Sequence, residues 1–164
     1  MNPHILDSNF FIQAHRTNYP FDVVPSFWNK IEELAKLELL ISIDKVREEI
    51  FKNDDSLSLW CEQSLPEGFF KDSSVALNEY STIIEWANSK ADHYTVKAIQ
   101  DFMETDAADA WLISFALNQN LPILSHEKSE PERKNRIKIP DVCIVFGVQY
   151  FNTVEMLRNL NVII

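Results

Sequence analysis

Only two of the 164 residues are glycine, Gly68 and Gly147. A loop that cradles phosphate needs several glycines in close succession, so nucleotide binding of the P-loop or dinucleotide type is excluded. Cysteine is equally scarce: Cys61 and Cys143 lie far apart and make no CxxC or Cys/His metal spacing, which fits buried thiols in a reducing compartment. The four histidines, His4, His15, His93 and His126, show no HExxH or paired ligand spacing, which argues against zinc. No apolar run approaches the roughly 18 residues that a membrane span needs. Asp7 to Asn9 interrupt the first apolar stretch, and no basic region precedes it as in a signal peptide. One cytoplasmic domain over residues 1–164, with no membrane association, is therefore expected.

Positive charge is also in short supply, with 15 basic residues against 25 acidic ones. That balance excludes a broad nonspecific nucleic-acid surface, because phosphate is normally neutralised by Lys and Arg. An acidic chain still acts on nucleic acid where its acids surround a divalent metal or where basic residues gather locally. One such gathering exists at 128–138, KSEPERKNRIK, with Lys128, Arg133, Lys134, Arg136 and Lys138. A basic partner protein docking on the acidic surface uses the same charge equally well.

What is present is an alternation of short apolar runs with helical patterns. His4 to Asp7 reads as a strand. VPSFWNKIEELAKLELL reads as an amphipathic helix, with Pro25 in its first turn and Phe27, Ile31, Leu34 and Leu37 on one face. Leu39 to Ile43 reads as a second strand, and KVREEIFKN as a helix capped by Asp44. Ser56 to Phe102 is mostly helical, broken at Pro66 and Gly68. Thr105 or Asp106 then opens a stronger helix, DAADAWLISFALNQN, with Ala107, Ala110, Trp111, Ser114 and Leu117 along its buried face. Pro122 to Leu124 is a third strand, VCIVFGV after Pro140 its companion, Thr153 to Asn159 a helix, and NVII a candidate last strand. Buried strands alternating with helices predict an α/β protein with a parallel sheet covered on both faces.

Several acids fall at the ends of these elements: Asp7, Glu48 and Glu49, Asp106 and Asp109, and Glu127. All lie at the carboxyl side of strands or the amino side of helices, where a parallel sheet brings them toward one cleft. Singly, each is explained by capping or by the helix dipole. Together they repel unless a cation compensates, and carboxylate oxygens suit Mg²⁺ or Mn²⁺. Asp109 stands out, since its neighbours Ala107, Ala108, Ala110 and Trp111 belong to a buried stretch where a carboxylate needs a partner. Ser8 and Asn9 either position Asp7 or make a turn, and His126 either touches phosphate beside Glu127 or faces solvent. The tryptophans at 28, 60, 86 and 111 read as core.

In their order, HILDSNFFI, VREEI, TDAADAWLISFALNQNLPILSHEK and KIPDVCIVFGV resemble the PIN-domain family of metal-dependent nucleases, and look closest to its stand-alone prokaryotic branch. The resemblance runs from residue 4 to about 146, with little signal from Ser56 to Ala98. A strand ending in Asp with a small polar residue and Asn behind it matches Asp7, Ser8 and Asn9. The second acid, usually before an apolar residue, matches Glu49 before Ile50, and the third matches Asp109 before Ala110, Trp111, Leu112 and Ile113. The fourth matches Glu127 after Ser125 and His126, where many members have Asp.

The resemblance implies a three-layer α/β/α sandwich with a mainly parallel central sheet. It implies Asp7, Glu49, Asp109 and Glu127 as catalytic residues holding Mg²⁺ or Mn²⁺, with Asn9, Asp106, Ser125 and Asp141 behind them. The activity implied is endonucleolytic hydrolysis of RNA phosphodiesters. The partners implied are RNA, a small antitoxin-like inhibitor protein as in toxin–antitoxin pairs, and a second copy of the chain in a homodimer. The alternative is a catalytically weak PIN-like module that binds RNA or protein. A phosphomonoesterase fits less well, since the chain has Asp7, Ser8, Asn9 in place of a nucleophilic DxD.

Overall fold

The computed structural model describes residues 2–164. In chain order it contains β1 (His4–Leu6), α1 (Ser8–Gln13), α2 (Pro25–Lys36), β2 (Leu40–Ile43), α3 (Asp44–Phe51), α4 (Ser56–Ser64), β3 (Phe70–Lys71), α5 (Leu77–Asn88), α6 (Val96–Met103), α7 (Ala108–Gln119), β4 (Ile123–Leu124), α8 (Ile139–Phe146), β5 (Tyr150–Phe151) and α9 (Thr153–Asn159). The five strands form one sheet in the order β3-β2-β1-β4-β5. Every pairing is parallel, with Ile5 opposite both Ile41 and Ile123. Helices flank this sheet as a three-layer α/β/α sandwich. Among the described residues no helix is long and apolar enough to cross a membrane.

β1 lies at the centre because both of its faces are covered: Ile5 and Leu6 are fully buried, as are Phe10 and Phe11 of α1 and Phe27 and Ile31 of α2. From β1 the chain moves outward to β2 and β3, then returns to the other side for β4 and β5. The order therefore reverses between β1 and β4, the position where open parallel sheets leave a crevice beyond the strand ends. Asp7 follows β1 and Ser125 follows β4, so both stand at the mouth of that crevice.

Four expectations need correction. VCIVFGV is not a strand: Pro140 in the first turn and Gly147 at φ 72° just past the end bracket the helix α8. An apolar run alone does not separate a buried helix from a strand, whereas a leading Pro and a trailing Gly favour a helix. The strand beside β4 is instead the two-residue β5. The tail NVII joins no ladder, and Ile163 is 92% exposed. The helix expected from Thr105 or Asp106 begins at Ala108, with Ala107 in extended backbone before it. Asp44 opens α3 without capping it in the usual way; its Oδ1 accepts from the Ser73 amide and hydroxyl and so ties α3 to the segment after β3. Of the tryptophans, Trp28 is buried, and Trp60, Trp86 and Trp111 pack half-buried against the core.

Candidate functional site

Asp7 caps α1. Its Oδ1 accepts from the Phe10 amide at 2.7 Å, and its Oδ2 accepts from the Ser125 hydroxyl at 2.8 Å, bridging the crevice between β1 and β4. The Ser125 oxygen accepts in turn from the Glu127 amide at 3.1 Å, which sets the loop that carries Glu127. The next residue after Asp7 reaches the second acid: the Ser8 hydroxyl donates to Glu49 Oε2 at 2.6 Å. The other oxygen of Glu49 accepts from the Ala108 amide at 3.1 Å, so this α3 side chain also satisfies a free donor at the start of α7. Glu127 does the same at the start of α8, its Oε2 accepting from the Ile139 amide at 2.8 Å. Asp109 sits in the first turn of α7.

Four elements thus deliver one acid each, and the charges feel one another. Asp7, 2% exposed, is pushed up to about 7, first by burial and then by Glu127 and Glu49, against the pull of its two hydrogen bonds. Asp109 is pushed up to about 8, first by desolvation and then by Glu127, Glu49 and Asp7. Arg136 works in the opposite direction. Its guanidinium is hydrogen-bonded to Glu127 Oε1 and lies 4.0 Å from Asp109 Oδ2. The Asp109 side chain keeps 29% of its surface exposed, so this acid faces the opening, while Glu127 at 6% lies deeper. Beside Asp109 is a pocket of about 90 Å³ lined by Phe102, Ala107, Asn135 and Arg136. That volume suits a hydrated ion or a phosphate and not a whole nucleotide.

Donor chemistry and charge both fit a hard divalent cation. The donors are carboxylate oxygens, Asp7 and Asp109 are raised first by burial and then by the neighbouring acids, and the Arg136 guanidinium stands beside Asp109 and Glu127 as a counter-ion. In spacing, no three His, Cys, Asp or Glu side chains among the described residues are drawn together as ligands. Protein donors hold the oxygens of Asp7, Glu49 and Glu127. Asp109 makes no such hydrogen bond among the described residues, and its side chain is therefore the one freest to turn inward.

A family model described as a domain of unknown function (DUF4411) matches residues 4–164. The chain belongs to the DUF4411 family. No curated protein matches it.

Other sequence candidates in this DUF4411 domain lie outside the four-acid network. Asp106 is exposed in the turn before α7. Glu48, exposed, pairs with Lys45 at 3.7 Å, which leaves Glu49 as the inward acid of the pair. Asn9 is half-buried in α1 and takes no part in the network. Asp141 accepts from the Ser129 hydroxyl at 2.6 Å and from the Glu130 amide at 3.1 Å, so it anchors the base of the 128–138 segment. His126 is held between Gln13 and Thr153, with burial lowering its pKa.

Most of the basic segment's charge is spent at home. Arg133 and Lys138 pair with Glu130 and Arg136 with Glu127, which leaves Lys128 and Lys134 without an ion pair among the described residues. Arg136 is thus the site residue that composition misjudged, since it reads as one cation among five. Its signal is weak: an Arg nine residues beyond an acid carries no periodicity.

Proposed function

We propose that the chain is a metal-dependent endoribonuclease that hydrolyses RNA phosphodiester bonds, with Asp7, Glu49, Asp109 and Glu127 as its acid set. The observation that supports this reading is the hydrogen-bonded chain that runs from Asp7, at the point where the strand order reverses, through Ser125 to the Glu127 loop and from its neighbour Ser8 to Glu49. Asp109 and Glu127 share Arg136, and Asp7 and Asp109 are raised to about 7 and 8. These four residues would hold Mg²⁺ or Mn²⁺, directly or through water. Such an ion, when bound, supplies water activation and neutralises charge on the transferring phosphoryl group.

The protein's own groups do the positioning. Ser125 and the Phe10 amide fix Asp7, Ser8 and the Ala108 amide fix Glu49, and the Ile139 amide fixes Glu127. Asp109, near the opening, is the acid nearest an incoming phosphate. The cytoplasm is the proposed compartment, consistent with buried free thiols at Cys61 and Cys143. The proposed partners are RNA, a small antitoxin-like protein that docks on the acidic surface, and a second copy of the chain.

The test is cleavage of end-labelled structured and unstructured RNAs with Mg²⁺, Mn²⁺ or EDTA, by wild type and by Asp7→Asn and Asp109→Asn. Cleavage that needs metal and disappears in both variants supports the reading. One observation favours a second reading, a catalytically weak binding module: Glu127 is already paired with Arg136. RNA retention with equal trace cleavage in wild type and variants is the outcome that selects it.

A further inference from the structure

We propose that Arg136 is a tethered counter-ion that holds the acid pocket together without metal and must leave Glu127 when a divalent cation enters. This inference rests on the metal-dependent reading above and concerns how that site is regulated. The geometry carries it. The guanidinium is hydrogen-bonded to Glu127 Oε1 and stands 4.0 Å from Asp109 Oδ2, so one cation already spans two acids delivered by different elements.

The backbone around it is anchored. Asp141 accepts from Ser129 and the Glu130 amide, the Pro131 carbonyl is held by His93, the Lys134 carbonyl accepts from the Thr95 amide at 2.9 Å, and Ile137 is buried. The segment therefore stays in place while the side chain is free to move. The Arg136 side chain is 46% exposed, so swinging it outward opens no cavity in the core. A guanidinium and a divalent cation compete for the same oxygens, since Glu127 Oε2 is already committed to the Ile139 amide and Oε1 is the one that Arg136 covers. Metal affinity is thereby set lower than the four acids alone would give.

The experiment is Mn²⁺ titration by calorimetry and by electron paramagnetic resonance on wild type, Arg136→Gln and Arg136→Lys, with no RNA present. Arg136→Gln is expected to bind Mn²⁺ about 3–5-fold more tightly, the scale of losing one partly exposed ion pair. Arg136→Lys should fall between it and wild type. The gain in Tm on adding Mn²⁺ should also be larger in Arg136→Gln, because the metal-free variant has lost its internal cation. Equal or weaker binding by Arg136→Gln overturns the inference and leaves the metal site standing. Absence of Mn²⁺ binding in all three proteins overturns both the inference and the metal-dependent reading.

Discussion

Asp109 is the carboxylate with most to gain from a cation. Its pKa in the fold is about 8, against roughly 3.9 in an unfolded chain. A raised acid binds more protons folded than unfolded, so its burial costs nothing below the unfolded pKa and costs progressively more as pH rises toward 8. Asp7 behaves alike up to about 7. Asp109→Asn, which removes the charge and keeps the shape, is therefore expected to raise Tm by roughly 3–6 °C at pH 8 and by much less at pH 5. Differential scanning calorimetry without metal checks this, and an equal shift at both pH values contradicts it. Ser125→Ala acts in the other direction. It leaves Asp7 Oδ2 and the Glu127 amide without their shared partner, and should cost about 1–3 kcal/mol in urea unfolding at pH 8.

At the scale of elements, acids double as helix caps. Glu49, from α3, accepts from the first amide of α7 and from the Ser8 hydroxyl, and so joins α3 to both α7 and α1. Glu49→Ala is expected to destabilise by ~1–2 kcal/mol, the scale of a lost N-cap, while Glu49→Gln keeps a carbonyl acceptor and recovers most of it. Urea midpoints separate the two, and both variants should lose the proposed metal-dependent activity. This dual role explains why the acids were legible in the sequence. Asp7 stands where β1 stops and α1 starts, Asp109 in the first turn of α7 and Glu127 just after β4, boundaries that are written in capping residues and apolar periods, whereas Glu49 lies in the second turn of α3. What was not legible is also physical. β3 and β5 are two residues each and carry no period, α8 was hidden in an uninterrupted apolar run, and Arg136 acts through a contact that only the folded loop creates.

For the whole molecule, a net charge of −10 leaves few cations to hold the proposed RNA substrate. Lys128 and Lys134 are the members of the basic segment without an ion pair among the described residues, and single-stranded RNA contributes a salt slope of about −0.7 per neutralised phosphate. Lys128→Ala with Lys134→Ala is expected to reduce the slope of log K against log salt by roughly 1–1.5. An unchanged slope in filter binding means that RNA approaches by another face. The core that supports the site is equally testable: Ile5→Ala, at a fully buried position in the central strand, should cost about 2–5 kcal/mol and weaken the proposed metal binding with it. The proposed metal-dependent hydrolysis is tested most directly by the chemistry of the ends left on RNA cut in Mg²⁺. Attack by water on phosphorus predicts a free hydroxyl on one fragment and a linear phosphate on the other, with no such fragments from Asp109→Asn. Fragments ending in a 2′,3′-cyclic phosphate, or the same fragments from Asp109→Asn, would contradict it.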